Sequence, residues 1–279
     1  MKRGAGARGI SLLPLAPGRR PRLGDKHAHR PAQLSDGEEL ERALRHELAR
    51  LEGLQAALYA EGTRSLLIVL QGRDASGKDG VVRHVAGEFN PQGVEITSFK
   101  RPTDIELRHD YLWRVHKAVP PAGMIGVFNR SHYEDVIVTR VHGAITRKDC
   151  VRRCREINDF ERMLVGNRMT ILKFFLHVSR AEQGRRLDER LADPKKNWKF
   201  QEGDLSERAL WDEYTRAYAE ALSQSSTSWA PWYLVPADNK SARNLLIART
   251  IADTLTAMAP RFPRADRAVI LAAQRLRRG

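Results

Sequence analysis

Cysteine is scarce: the 279 residues contain two, Cys150 and Cys154. Two thiols cannot build a disulfide scaffold, and without a partner set of histidines they do not make a zinc site; a reducing, cytoplasmic setting is the expectation. Long apolar runs are missing too. The longest, Leu66-Leu67-Ile68-Val69-Leu70, is a strand's length and falls far short of the roughly 18 to 20 residues of a membrane span. No internal repeat or low-complexity tract appears in the body. Acidic side chains are in deficit, Asp+Glu 34 against Lys+Arg 48, for a formal net charge of +14. What remains suits a soluble globular chain: 42% hydrophobic and 29% charged residues allow a sizeable core and argue against disorder.

A net charge of this size suggests a polyanionic partner, but its distribution matters more than its sum. Residues 1–30 hold eight basic side chains and one acidic, and residues 261–279 hold six and one. The body between is nearly balanced. Within it, residues 147–199 carry fifteen basic against eight acidic side chains, and 200–238 carry two against seven. A basic segment therefore sits inside the fold, while the tails carry most of the excess. Residues 1–33 read as a flexible basic arm and 264–279 as a basic tail. Ile10–Pro17 has a faint signal-peptide outline, but its apolar stretch is short and broken by Pro14 and Pro17, so secretion is not expected.

From Ser35 onward the pattern is helical, then alternating. Ser35-Asp36-Gly37-Glu38 has capping-box form and opens a helix with Leu40, Leu44, Leu48, Leu51, Leu54 and Leu58 on one face. Strands are predicted at 65–71, 94–99, 124–129, 169–176 and 232–235. Helices are predicted over about 78–89, 103–117, 131–140, 147–167, 181–191, 206–223 and 241–258. Such alternation implies an α/β fold, a parallel sheet flanked by helices on both faces, with ligands at the carboxyl ends of the strands.

At the first strand end stands Gly72-Arg73-Asp74-Ala75-Ser76-Gly77-Lys78-Asp79, a G-x-x-x-x-G-K Walker A pattern in strand–loop–helix context. Its backbone N–H groups and the following helix N-terminus suit a phosphate, and Lys78 suits the transferred phosphoryl group. Gly72, Arg73, Ala75, Ser76, Gly77 and Asp79 are the candidate phosphate contacts. The hydroxyl residue that usually follows the lysine and holds Mg²⁺ is replaced by Asp79; Asp74 offers a substitute oxygen. The third strand runs into Asn129-Arg130-Ser131-His132-Tyr133-Glu134-Asp135, placing Arg130 to fork phosphate oxygens and Glu134 and Asp135 as metal carboxylates. His132 reads as a packed or hydrogen-bonded residue rather than a base. A third feature, Arg180 to Asp204, combines a helix carrying Arg190 with a basic loop containing Lys195, Lys196 and Lys199; it reads as a lid over about 180–204 whose cations are candidate polyphosphate contacts. Each feature also has a plain reading, as a glycine-rich turn, a solvated helix face and a charged helix end. Cys150 and Cys154, like Trp211, Tyr214 and Tyr218, recur at helical spacing and read as core.

Together with Phe89-Asn90-Pro91-Gln92-Gly93, Thr97-Ser98-Phe99-Lys100, Lys196-Asn197-Trp198-Lys199-Phe200 and Trp232–Asp238, these motifs closely resemble the polyphosphate kinase 2 family over roughly residues 35–263. The form Phe128-Asn129-Arg130-Ser131-His132-Tyr133-Glu134-Asp135 resembles its class III branch. The resemblance implies a P-loop kinase-like three-layer sandwich with a helical lid, and Mg²⁺-dependent transfer, with Mn²⁺ as substitute, from inorganic polyphosphate to purine nucleoside mono- and diphosphates. It implies catalytic roles for Asp74, Lys78, Arg130 and Asp135, metal contacts for Asp74, Glu134 and Asp135, nucleotide contacts for Asn90, Lys100 and Asn129, and a homo-oligomer. Arg101, where a smaller residue is expected, and Gln92, where many members have arginine, leave the acceptor preference open. Competing readings are an ATP-dependent nucleoside monophosphate kinase, disfavoured by Asp79, and a nucleic-acid-binding module using the basic tails. Neither a nucleic-acid nor a membrane partner is expected.

Overall fold

A computed structural model describes residues 10–195, 197–199, 202–266, 269 and 276–277. Helix α1 (Gly37–Glu61) starts one residue later than its sequence signature, because Asp36 rather than Ser35 is the N-cap. It buries Leu40, Leu44, Leu51 and Leu58, and Leu48 and Leu54 pack partly against the same core.

Five strands follow in alternation with helices: β1 (Ser65–Gln71), β2 (Val94–Ser98), β3 (Ile125–Asn129), β4 (Met169–His177) and β5 (Trp232–Pro236). All pairs are parallel, in the order β2-β3-β1-β4-β5. The helices between and after them are α2 (Lys78–His84), α3 (Trp113–Lys117), α4 (Glu134–Val141), α5 (Arg147–Gly166), α6 (Arg180–Ala192), α7 (Glu202–Ala209), α8 (Trp211–Ser225) and α9 (Lys240–Met258).

Strand β1 lies at the centre with all seven residues buried, and its alternating side chains divide the core in two. Leu66, Ile68 and Leu70 pack with Leu51 and Leu58 of α1, Val81 of α2 and Leu245 of α9. Leu67 and Val69 face the other way, with Ile137 of α4, Ile157 of α5 and Leu222 of α8. Covering a period-two strand on both faces makes three layers. Each fully buried aliphatic side chain contributes about 1.5–3 kcal/mol, so this central strand is the fixed platform for the loop at its carboxyl end. Cys150 and Cys154 of α5 and Trp211, Tyr214 and Tyr218 of α8 are buried, as their spacing predicts.

Three expectations change. The continuous helix expected over 103–117 is two short pieces, a single 3₁₀ turn at Glu106–Arg108 and α3. Between them Asp110 Oδ1 accepts from Leu112 N at 2.9 Å, a local bond that competes with the helix ladder. The helix expected over 206–223 starts at Glu202 and divides at Leu210 into α7 and α8. The largest change concerns the arm. Residues 10–33 are not loose: Leu15, Leu23 and Ala28 are buried, Pro14 forms an antiparallel bridge with Tyr233, and Leu15 N donates to Trp232 O at 2.7 Å. The segment covers the outer edge of β5, whose backbone groups would otherwise lack partners. Residues 1–9 and most of the expected 264–279 tail lie outside the described residues.

Candidate active site

The phosphate loop turns sharply out of β1. Gly72 has φ 153°, and a Cβ there would meet Leu176 O at 2.6 Å and Ser76 Oγ at 2.7 Å. Gly77 has φ 98°, and a Cβ there would collide with the Arg243 guanidinium; both positions need glycine. Ala75 (φ 57°) and Arg130 (φ 65°) are non-glycine residues in the left-handed region. Such strain gathers at sites that fix a side chain's direction.

Lys78 opens α2 and is buried, its Nζ donating to Gly72 O at 2.7 Å and Arg73 O at 3.0 Å. Burial, reinforced by the Arg130 charge, lowers its pKa to about 8. Asp74 Oδ2 accepts from Arg190 Nη1 at 2.9 Å. Burial pushes the Asp74 carboxyl up, but Lys78 and Arg190 outweigh it and hold it below its ordinary value. At the end of β3, Arg130 Nη1 donates to Glu134 Oε2 at 3.1 Å. Asp135 faces Arg114 Nη2 at 3.4 Å; burial nevertheless leaves its pKa raised. Asn129 Nδ2 donates to Asp79 Oδ1 at 2.8 Å, tying the two strand-end loops together.

Asp74, Ala75, Gly77, Lys78, Asp79, Lys100, Asn129, Arg130, Glu134, Asp135, Arg190 and Lys195 all line one open groove of about 2170 Å³, well above the roughly 300–1,000 Å³ usual for one small ligand. Two predicted contacts point elsewhere. Arg73 is buried away from the groove, its guanidinium 4.0 Å from the Trp211 ring centroid, with Nη2 donating to Trp211 O at 3.2 Å. It anchors the loop to α8 and lies outside the groove lining. Asn90 does not line the groove either; its Oδ1 accepts from Gln92 N at 3.0 Å and its backbone pairs with Gln55, so it shapes a turn. Gly72 and Ser76 belong to the loop's frame, outside the groove lining. Lys196 and the side chain of Lys199 lie outside the described residues.

Arg186, within the 180–204 lid segment, and Arg114 and Arg243, outside every motif, also line the groove. Arg114 donates to Lys100 O at 2.8 Å while facing Asp135. Arg186 donates to Ala75 O at 2.9 Å and to Ala237 O at 2.6 Å, stapling the phosphate loop to the end of β5. Arg243, with its pKa lowered to about 10 by burial and the Arg186 charge, backs Gly77. Arg243, beside Asn244 at the polar start of α9, and Arg114, on a short helix, carry no local sequence signal.

Beneath Arg130–Asp135 lies a buried polar cluster. Lys173 Nζ donates to Glu161 Oε2 at 2.6 Å, Ser225 O at 2.7 Å and Tyr133 Oη at 2.9 Å, and Tyr133 Oη donates to Glu161 Oε1 at 2.8 Å. Buried His132 has Nε2 3.5 Å from the same carboxylate. His132 is thus part of the floor, out of reach of the groove, as its packed reading predicts.

With this geometry in place, the comparisons decide the family. The polyphosphate kinase 2 model matches residues 34–263. The chain belongs to the polyphosphate kinase 2 family. It is 50% identical over 219 residues to an AMP/ADP-polyphosphate phosphotransferase of Meiothermus ruber, covering 78% of this chain and 82% of that one. It is 44% identical over 232 residues to an ADP-polyphosphate phosphotransferase of Rhodopseudomonas palustris, covering 79% and 80%. The crystal structure of polyphosphate kinase 2 from Arthrobacter aurescens TC1 superposes with a TM-score of 0.84 at 43% identity, covering 88% of this chain and 90% of that chain. The P-loop kinase-like sandwich expected from the sequence is the fold of this polyphosphate kinase 2 chain. Among the described residues no helix is long and apolar enough to cross a membrane.

Proposed function

We propose that this chain moves the terminal phosphoryl group of inorganic polyphosphate onto AMP and ADP. The observation that carries the reading is the convergence of Asp74, Lys78, Arg130 and Asp135 on one open, cation-lined groove at the carboxyl ends of β1 and β3. The names of the Meiothermus ruber and Rhodopseudomonas palustris relatives supply the donor and acceptors.

In the reaction an acceptor phosphate oxygen bonds to the terminal phosphorus of the chain, and the bridge to the penultimate phosphate breaks. The shortened polyphosphate leaves with that bridging oxygen. Phosphate monoesters lose their second proton near pH 6, so the nucleophile is already ionised and no general base is required. The burial of His132 agrees with that. Catalysis then rests on position and charge. Arg130 and Lys78 balance charge on the equatorial oxygens, and Asn129 and Lys100 lie where a nucleotide would reach. Arg190 on α6 closes the same space, and we assign residues 180–204 the role of a lid.

The carboxylates fit Mg²⁺. Among the described residues no three His, Cys, Asp or Glu side chains form a ready-made cluster, but Mg²⁺ is commonly held by one or two carboxylates, water and substrate phosphates. Asp74 and Asp135, with Glu134 beside them, would supply those oxygens. The ion would supply positive charge against the phosphates; Mn²⁺ would fit the same carboxylate oxygens. A cytoplasmic setting is proposed on the two buried, unpaired thiols, and a homo-oligomer on the family resemblance. The test is product analysis over time with polyphosphate as sole donor and AMP, ADP, GMP and GDP as acceptors. ADP and then ATP should accumulate from AMP; no nucleotide product from any acceptor would refute the reading.

A further inference from the structure

We propose that residues 24–29 are a clamp on the base of the lid helix, with Asp25 as a positioning residue for phosphoryl transfer. The segment precedes the stretch that matches the family model, and nothing in its composition separates it from a loose basic arm. Its contacts do. Where the chain passes the carboxyl ends of β4 and β5, Gly24 O accepts from His177 Nε2 at 3.1 Å. Ala28 O accepts from Asp238 N at 3.1 Å, and His29 Nδ1 meets Asp238 Oδ2 at 2.9 Å.

Two carboxylates then hold the start of α6. Asp25 Oδ1 accepts from Arg180 N at 3.3 Å, and Asp238 Oδ1 accepts from Ser179 N at 2.8 Å. Both satisfy N–H groups that the helix itself cannot, and both place negative charge at its positive end.

The lever is α6 itself. From its start the helix carries Gln183, whose Nε2 donates to Asp74 O at 3.3 Å, then Arg186, bonded to Ala75 O, then Arg190, bonded to Asp74 Oδ2. Arg190 lies ten residues beyond Arg180, about 15 Å along the axis at 1.5 Å per residue. A tilt of about 4° at the base displaces that position by about 1 Å, a scale of misplacement that costs up to about a hundredfold in rate. Asp25 is itself exposed, so its loss costs little global stability.

The inference rests on the proposed transfer reaction, and its test separates the two. Asp25→Ala and Asp25→Asn are compared with the unaltered chain by polyphosphate-to-ADP kinetics, thermal unfolding and amide hydrogen exchange across Arg180–Arg190. Asp25→Ala is expected to lower kcat at least about tenfold with little change in the nucleotide KM, an intermediate loss on the scale of misplaced catalytic groups. Its Tm should move by less than about 3 °C, and exchange at the start of α6 should quicken. Asp25→Asn keeps the acceptor oxygen and should recover most of kcat. Unchanged kcat and unchanged exchange in Asp25→Ala would overturn the clamp, as would equal losses in both variants. If the unaltered chain did not use polyphosphate, the transfer reading would fail, and the exchange experiment would still decide the clamp.

Discussion

Lys78 is the residue on which most converges. It is buried, its Nζ donates to the backbone carbonyls of Gly72 and Arg73, and burial lowers its pKa to about 8. A bound polyanion favours the charged ammonium and raises that value. Between about pH 8 and 9 the free protein has therefore lost part of this proton and the complex has it, so donor binding takes up protons. Calorimetry in buffers of different ionisation heat should show this uptake in the unaltered chain and not in Lys78→Ala. That variant should keep its circular dichroism and lose nearly all transfer. Asp74→Asn and Asp135→Asn should each raise the Mg²⁺ concentration needed for half-maximal rate, because a hard cation prefers anionic oxygen; an unchanged Mg²⁺ titration would remove that residue from the ligand set. The motif fixes the place of Asp74, Lys78, Arg130, Glu134 and Asp135 at strand ends, and all five line the groove. Arg73 and Asn90 do not line the groove, because spacing gives position and not side-chain direction. Arg73 turns back onto Trp211, and Asn90 is consumed by its own turn. Arg114 of α3 and Arg243 of α9 line the groove, and no local sequence pattern marks either of them.

At the scale of elements, all five strands lie where the sequence predicts them, β1 and β4 from apolar runs and β2 from an alternating pattern, with boundaries shifted by at most one residue. Their order in the sheet was not, since it depends on pairings between distant segments. Breaks such as Leu210 escaped because no Pro or Gly marks them. Strand β4 conceals a further lesson in Lys173, a wholly buried cation in an otherwise apolar run. Burial pushes the Glu161 carboxyl up, and Lys173 outweighs it and holds it below its ordinary value. Removing one partner strands the other: Lys173→Met is expected to cost about 3–5 kcal/mol by urea denaturation. A loss below about 1 kcal/mol would mean that the pair does not stabilise the floor under Arg130–Asp135.

At the scale of the whole molecule, the charge balance and the architecture tell different stories about the amino terminus. Charge alone marks residues 1–30 as a screened, mobile arm whose removal leaves turnover nearly unchanged. The packing of Leu15, Leu23 and Ala28 and the bridge to β5 make residues 10–33 part of the body. Deleting residues 1–30 exposes that surface and the β5 edge, and should lower Tm by at least about 5 °C, since buried leucines contribute a few kcal/mol each. An unchanged Tm would return the segment to the status of a tail. The central claim is that this P-loop, lacking the usual hydroxyl after its lysine, accepts phosphate from polyphosphate and not from a nucleoside triphosphate. The most direct measurement is the initial rate of ADP formation from AMP with Mg²⁺ and either polyphosphate or ATP as donor, at matched concentrations of terminal phosphate. The account predicts rapid ADP formation with polyphosphate and little with ATP; the reverse would contradict it.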